Sequence, residues 1–207
     1  MVEGSNLSTK EKILKVSEQV FAEKGFDGAR VDEIARKAGV NKALIYYYFD
    51  GKDDLLDHLF NLLIDEVRNF IVEEVKDLNL DDDEAFNKVF NNTLNLLETK
   101  RDILKVAFIE SLKGDTKHSI IFNLGEIIMG SEIERITEVF TSMGLEVPED
   151  KQYMLVGEFF TGILPMIGFV IFKDNFSNYF GTDPDKIKDH FKKVFKKSHL
   201  GFHDLSK

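Results

Sequence analysis

Apolar residues recur along this chain at helical spacing, and no stretch keeps the alternation of a strand. The first predicted helix opens at a capping box, with Ser8 accepting from the backbone of residue 11 and Glu11 reaching back. Ile13, Val16, Val20 and Phe21 share its inner face, and Gly25 is its expected stop. A short helix from Val31 to Ala38 ends at Gly39, and another runs from about Asn41 to Phe49. Asp50 is expected to cap a long fourth helix running to about Lys76, striped by Leu55, Leu56, Leu59, Phe60, Leu63, Val67, Phe70 and Ile71. At ~1.5 Å per residue it is nearly ~40 Å long, enough to join two bodies. An acidic connector, Asp77 to Asp83, precedes helices at roughly 84–99, 102–113, 117–143, 149–174 and 184–197. The last of these starts with Asp183 as N-cap and Pro184 at the first helical position. The pattern predicts an all-α fold, with a three-helix domain over residues 1–52 joined by a long helix to a larger helical domain over 53–207.

Composition sharpens this. Three prolines in 207 residues favour helices, and 43% hydrophobic with 31% charged residues is globular. With no Cys there is no disulfide framework, Cys-ligated zinc site or thiol nucleophile. No segment has the look of a targeting signal. The near-apolar run Phe159 to Phe172 is 14 residues long, against about 20 for a spanning helix, and is expected to be a buried helix of a soluble, cytoplasmic protein without a membrane partner. Net charge is −10, but residues 1–52 hold nine Lys and Arg against eight acids, so a near-neutral module precedes an acidic body. Local cations suffice for nucleic-acid docking whatever the global sign.

The informative segment is Val31 to Lys52. Ala35 is small where two helices must approach, Gly39 stands at the turn between them, and Ile45 follows on the inner face of the second helix. Ile34, Ala38 and Val40 complete a small apolar cluster. This spacing is that of a helix-turn-helix, whose second helix enters the DNA major groove. Tyr46, Tyr47 and Tyr48 are consecutive, so at ~100° per residue they fan around that helix, and at least one is expected to reach outward. Lys42 and Lys52 bracket the face with positive charge.

On these residues, together with Gly25-Phe26, Phe49 and Leu55, positions 8–55 resemble the N-terminal domain of the TetR family of transcriptional regulators. The resemblance covers about a quarter of the chain and implies a homodimeric repressor of a palindromic DNA operator, released when a small molecule binds the C-terminal domain. It implies base-edge contacts at Lys42 and Ala43, base or backbone contacts at Tyr46 and Tyr47, a DNA-facing place for Tyr48 where many members have His, and a phosphate contact at Lys52. The family usually caps its second helix with Ser or Thr; Ala29 and Arg30 stand there instead, and Arg30 is expected to reach phosphate rather than cap.

Beyond the resemblance, Phe159, Phe160, Ile163, Ile167, Val170 and Ile171 exceed what one helix face hides, and with Phe191, Val194 and Phe195 they are expected at a subunit interface. Phe86, Phe90, Phe108, Phe122, Met129, Tyr153 and Met154 are candidate lining for an effector cavity. Glu110, Glu126 and Glu158 stand in apolar helices, where a buried carboxylate needs a partner, and this leans towards a cationic effector. Asp77, Asn79, Asp81 and Asp83 alternate as in a calcium loop, but Asp82 and Lys88 occupy the positions that need Gly and Glu. His199 and His203 are four apart, and a frayed tail is the better reading than a metal pair. The Lys-rich segment Lys186 to Lys197 reads as a docked amphipathic helix. No nucleotide, hydrolase or metalloprotease motif is present, so neither an enzyme nor a cofactor or metal is expected. The competing readings are a helical protein-interaction module that has lost specific DNA binding, and a helical enzyme or carrier.

Overall fold

The computed structural model describes residues 7–75, 82–114, 119–130 and 151–201, and every regular element among them is helical. The helix expected on from Gly130 towards residue 143, the connector as far as Asp81 and His203 lie outside the described residues. The elements are α1 (Thr9–Gly28), α2 (Val31–Ala38), α3 (Lys42–Tyr48), α4 (Lys52–Phe70) with a π-helical extension Ile71–Val75, α5 (Asp83–Thr99) and α6 (Arg101–Leu112). They continue with α7, described over Ile120–Gly130, then α8 (Lys151–Gly157), a π segment Glu158–Ile163, α9 (Leu164–Phe180), α10 (Pro184–Phe195) and a last π turn Lys196–Leu200.

Internal contacts divide the chain into two compact units, Met1–Glu66 with Asp102–Ile121, and Val67–Arg101 with Phe122–Lys207. The first unit thus keeps α4 well past the boundary expected at residue 52, and it takes in α6 as well. Its start is the capping box: Ser8 Oγ accepts from the Glu11 N–H at 3.3 Å, and the Glu11 carboxylate accepts from the Ser8 N–H at 2.8 Å. Gly25 breaks α1 without ending it. Its φ of 73° kinks the chain, one more turn runs on to Gly28, and Phe26 lies against Phe21 with ring centroids 5.6 Å apart. Asp50 does not cap α4 as expected; its N–H instead donates to the Asp54 carboxylate at 2.9 Å. Ile13, Val20, Phe21, Ile34, Ile45, Phe49, Leu55 and Leu56 form a core closed to solvent, and α6 buries Ile103, Leu104, Val106 and Ala107.

The second unit is built on aromatic packing. Phe86 and Phe90 of α5 are buried, and Phe90 meets Phe191 and Phe195 of α10 at 6.0 and 5.6 Å. Phe169 of α9 stacks on Phe191 at 4.2 Å with the rings nearly parallel. Salt bridges Arg101–Asp174, Lys173–Glu98 and Lys196–Asp83 join its helices at the rim. Asp183 accepts from the Asp185 N–H at 3.0 Å, which makes it the N-cap of α10. α8, the π segment and α9 form one continuous helix, Gln152–Phe180, of 29 residues. By length and composition alone it could cross a membrane, and 39% of its most apolar window is buried in the protein. The 14-residue apolar run thus lies inside a helix that continues to Phe180, past the end expected near residue 174. Pro165 stands directly after the π segment, at the start of α9, and the helix runs on through it.

Candidate nucleic-acid interface

α2 and α3 are joined by the turn the sequence requires. Gly39 takes the left-handed conformation at φ 69° and ψ 30°, and the Val40 N–H donates to the Ala35 carbonyl at 3.0 Å. Ile34, Ala35 and Ile45 are buried at the crossing, while Ala38 and Val40 are half-buried. α3 is short, and its start is fixed by the Asn41 side chain, which accepts from the Leu44 N–H at 2.7 Å. Phe49, 2% exposed, anchors its end.

With Ile45 and Phe49 turned inward, the rest of α3 faces solvent. Ala43 is exposed, and Tyr46, Tyr47 and Tyr48 are 52%, 78% and 37% exposed. Tyr47 and Tyr48 meet edge to face at 4.9 Å. Lys42 Nζ lies 2.9 Å from Asp32 Oδ1 and 6.0 Å from the centre of the Tyr46 ring. The hydrogen bond to Asp32 raises the Lys42 pKa above its ordinary value, so the ammonium stays charged.

Arg30 sits at the N-cap of α2 in extended backbone and makes no side-chain cap bond. It is exposed and lines an open cleft of about 630 Å3 with Lys24, Gly28, Asp32, Glu33 and Arg36. Lys24 and Arg36 are cations of this cleft that were not among the contacts expected from the sequence, since their place in it depends on how α1 packs on α2. Lys52 is less free than its position suggests. Its Nζ donates to the Phe26 carbonyl at 2.7 Å and lies 4.3 Å from the centre of the Phe26 ring, tying the start of α4 to the end of α1.

The candidate effector residues are distributed over both units. Phe108 and Glu110 belong to the first unit, the others to the second. Phe86 and Phe90 are packed core, Met129 and Met154 are half-buried, and Phe122 and Tyr153 are 55% and 63% exposed. Glu126 is exposed, so it gives no reason for a ligand cation. Glu110 and Glu158 are both 3% exposed, but each is faced by a cation-forming side chain of this chain: Lys113 Nζ is 2.9 Å from Glu110, and His199 Nε2 is 3.8 Å from Glu158. Lys113 also reaches Asp27 at 2.6 Å, and this bond lowers the Asp27 pKa and raises that of Lys113. Among the expected interface residues, Ile163, Ile167, Val170 and Phe195 are buried inside the protomer, and Phe191 is stacked on Phe169. Phe159 is half-buried and Val194 is 63% exposed. Phe160, also expected there, is 59% exposed, and Phe172, Phe176, Tyr179 and Phe180 are further open apolar residues on the last two helices, with Val194.

The described residues thus define an all-helical protein carrying a helix-turn-helix with a polar, aromatic second helix. Residues 13–59 match the family of bacterial regulatory proteins of the tetR type, and over that segment the chain is similar to it. The chain is 51% identical over 53 residues to a Bacillus subtilis protein named "Probable HTH-type transcriptional regulator YttP", a match covering 26% of each chain. It is 35% identical over 60 residues to IcaR of Staphylococcus epidermidis, a negative transcriptional regulator of a biofilm operon, covering 27% of this chain and 32% of IcaR. These matches span between a quarter and a third of the curated relatives' length. Over the whole fold, the chain resembles a TetR-family transcriptional regulator from Bordetella parapertussis, with a TM-score of 0.63, 16% identity, and 93% of this chain and 96% of that one covered.

Proposed function

We propose that this protein is a DNA-binding transcriptional regulator, a cytoplasmic homodimeric repressor that leaves a palindromic operator when a small molecule binds its helical body. The observation that carries the reading is the exposed tyrosine fan on a capped α3 whose opposite face is buried. A protein gains nothing in stability by holding three phenols in water, whereas a phenol donates to phosphate and packs on a thymine methyl. Lys42 and Ala43 stand at the leading end of the helix for base edges, with Tyr46, Tyr47 and Tyr48 on base edges or backbone. Arg30, Arg36 and Lys52 supply phosphate contacts, Lys52 with the N–H groups left over from its bond to Phe26.

One recognition helix covers few base pairs, so pairing on a two-fold site is the economical arrangement. The exposed Phe172, Phe176, Tyr179, Phe180 and Val194 supply an apolar face for it, and the long helix is read as facing a second copy rather than lipid. The effector is left without a preferred charge, since both buried glutamates are answered from within the chain. Release requires that it favour the DNA-incompetent dimer, because equal affinity for both states shifts nothing.

The test is a salt-titrated shift assay on DNA upstream of the protein's own gene. Sequence-preferring binding with a steep salt slope supports the reading. No binding at low salt overturns it and favours the protein-interaction module.

A further inference from the structure

Two π-helical segments meet in the second unit, and an ionisable pair lies between them. The widened turn Glu158–Ile163 carries Glu158, 3% exposed, and the turn Lys196–Leu200 carries His199, whose side chain is 17% exposed. Such single π turns inside α-helices are frequent at functional sites. The two are fitted to each other at Gly162: a Cβ there would stand 2.7 Å from His199 Cε1, so any other residue would displace the imidazole. Phe195 covers the ring at 5.0 Å.

The contacts of the ring favour its charged form, with a hydrogen bond at one nitrogen and a carboxylate facing the other. Thr161 Oγ1 donates its one proton to the Gly157 carbonyl at 2.7 Å. Towards His199 Nδ1, 3.1 Å away, the hydroxyl must therefore accept, and Nδ1 must carry a hydrogen. Nε2 faces a carboxylate oxygen of Glu158 at 3.8 Å. A carboxylate is an acceptor, so a bare Nε2 there opposes lone pair to negative charge, whereas a protonated Nε2 forms an ion pair. Both nitrogens are thus asked to hold hydrogen, which is the imidazolium. Glu158 faces the ring from the long helix; Lys196 and Lys197 flank it on its own turn, Lys196 being tied to Asp83 of α5. The described first turn of α9, Leu164 to Ile167, brings no charge.

We propose that Glu158, Thr161 and His199 form a proton-dependent latch, which holds the C-terminal turn on the long helix when His199 is charged and loosens when it is neutral. An imidazolium favoured in the folded protein gives stability that is fully present below the unfolded histidine's pKa of ~6.5. It is lost as pH rises through the higher folded value. The latch therefore closes on acidification and opens towards alkaline pH. The end of α10 is its moving part.

The experiment uses the full chain without DNA, so its outcome is independent of the regulatory reading. The His199 imidazole is titrated by NMR in the wild type, assigned by its loss in His199→Gln. A midpoint above ~6.5, falling in Thr161→Val and Glu158→Gln, is expected, with amide exchange over residues 196–201 speeding up several-fold beyond the intrinsic pH dependence between pH 6 and pH 8.5. His199→Gln should show no such pH-dependent change beyond the intrinsic exchange rate. A midpoint below the free-histidine value, or the same exchange profile in the wild type and His199→Gln, overturns the latch. If Glu158→Gln does not fold, the wild-type titration and Thr161→Val still decide.

Discussion

Lys52 shows how one side chain serves both fold and ligand. Its bond to the Phe26 carbonyl and its place over the Phe26 ring fix the start of α4, so its removal should cost stability as well as DNA affinity. Lys52→Ala should lower the unfolding free energy by about 1.5–3 kcal/mol, as for a charged hydrogen bond, and weaken binding to all DNA sequences. Tyr47→Ala, at a side chain 78% exposed, should leave urea unfolding unchanged yet alter sequence preference. If Tyr47→Ala binds like the wild type in both affinity and preference, the outward face of α3 does not touch DNA. Asp32 bears on the same surface from the other side. It neutralises Lys42 at 2.9 Å and presents its own charge to incoming phosphates. Asp32→Asn should tighten low-salt DNA binding several-fold, and an unchanged affinity would mean that Lys42 is turned away from the duplex.

Local signals carry best at the scale of the element. The cap at Asn41 and the left-handed Gly39 involve residues a few positions apart, so the sequence alone made the turn and the start of α3 readable. Asn41→Ala should cost about 1 kcal/mol and reduce DNA binding by fraying a seven-residue helix. Asn41→Ser should restore both, and circular dichroism melts beside a shift assay check this. The faces of the later helices were less legible, and the π segments explain why. A π turn inserts an extra residue per turn and rotates everything after it, so helical spacing counted through Glu158–Ile163 assigns the wrong side. Ile163, Ile167 and Val170 were expected at an interface because the helix carries more apolar residues than one face hides, and they are buried within the protomer. The tether from α6 to α1 was equally hidden, because Lys113 and Asp27 are 86 positions apart. Its pH signature is nonetheless predictable. Asp27 has a pKa lowered from 3.8 by Lys113, so its contribution is present above that value and lost as pH falls through the lower folded one. Lys113 has a pKa raised from 10.5 by Asp27, then by Glu110, so its share holds below that value and is lost in stronger alkali. The stability difference between wild type and Asp27→Asn should be flat from pH 5 to pH 9 and vanish in acid below the ordinary Asp value. A difference that persists at pH 2 would show that the tether is not ionic.

For the whole molecule the open question is what covers α9 and α10. Phe172, Phe176, Tyr179 and Phe180 lie along the last turns of α9 and are each about half exposed or more, with Val194 open on α10. An apolar strip of this kind is costly in water and marks an association site. Phe191 lies on α10 as well, but it is stacked between Phe169 and the α5 aromatics and belongs to the protomer's own core. Two substitutions that look alike in the sequence should therefore fail differently. Phe176→Glu with Val194→Glu should give a folded monomer by sedimentation at micromolar concentration, with a normal helical spectrum and weak operator binding. Phe191→Glu should instead place a charge in a packed aromatic cluster and unfold the second unit, lowering the melting temperature before any change in association is seen. If the first pair leaves a dimer intact, the subunits meet elsewhere and the strip has another occupant. If Phe191→Glu dissociates the dimer while melting like the wild type, α10 presents Phe191 to the partner, and its stack on Phe169 is not the state in solution.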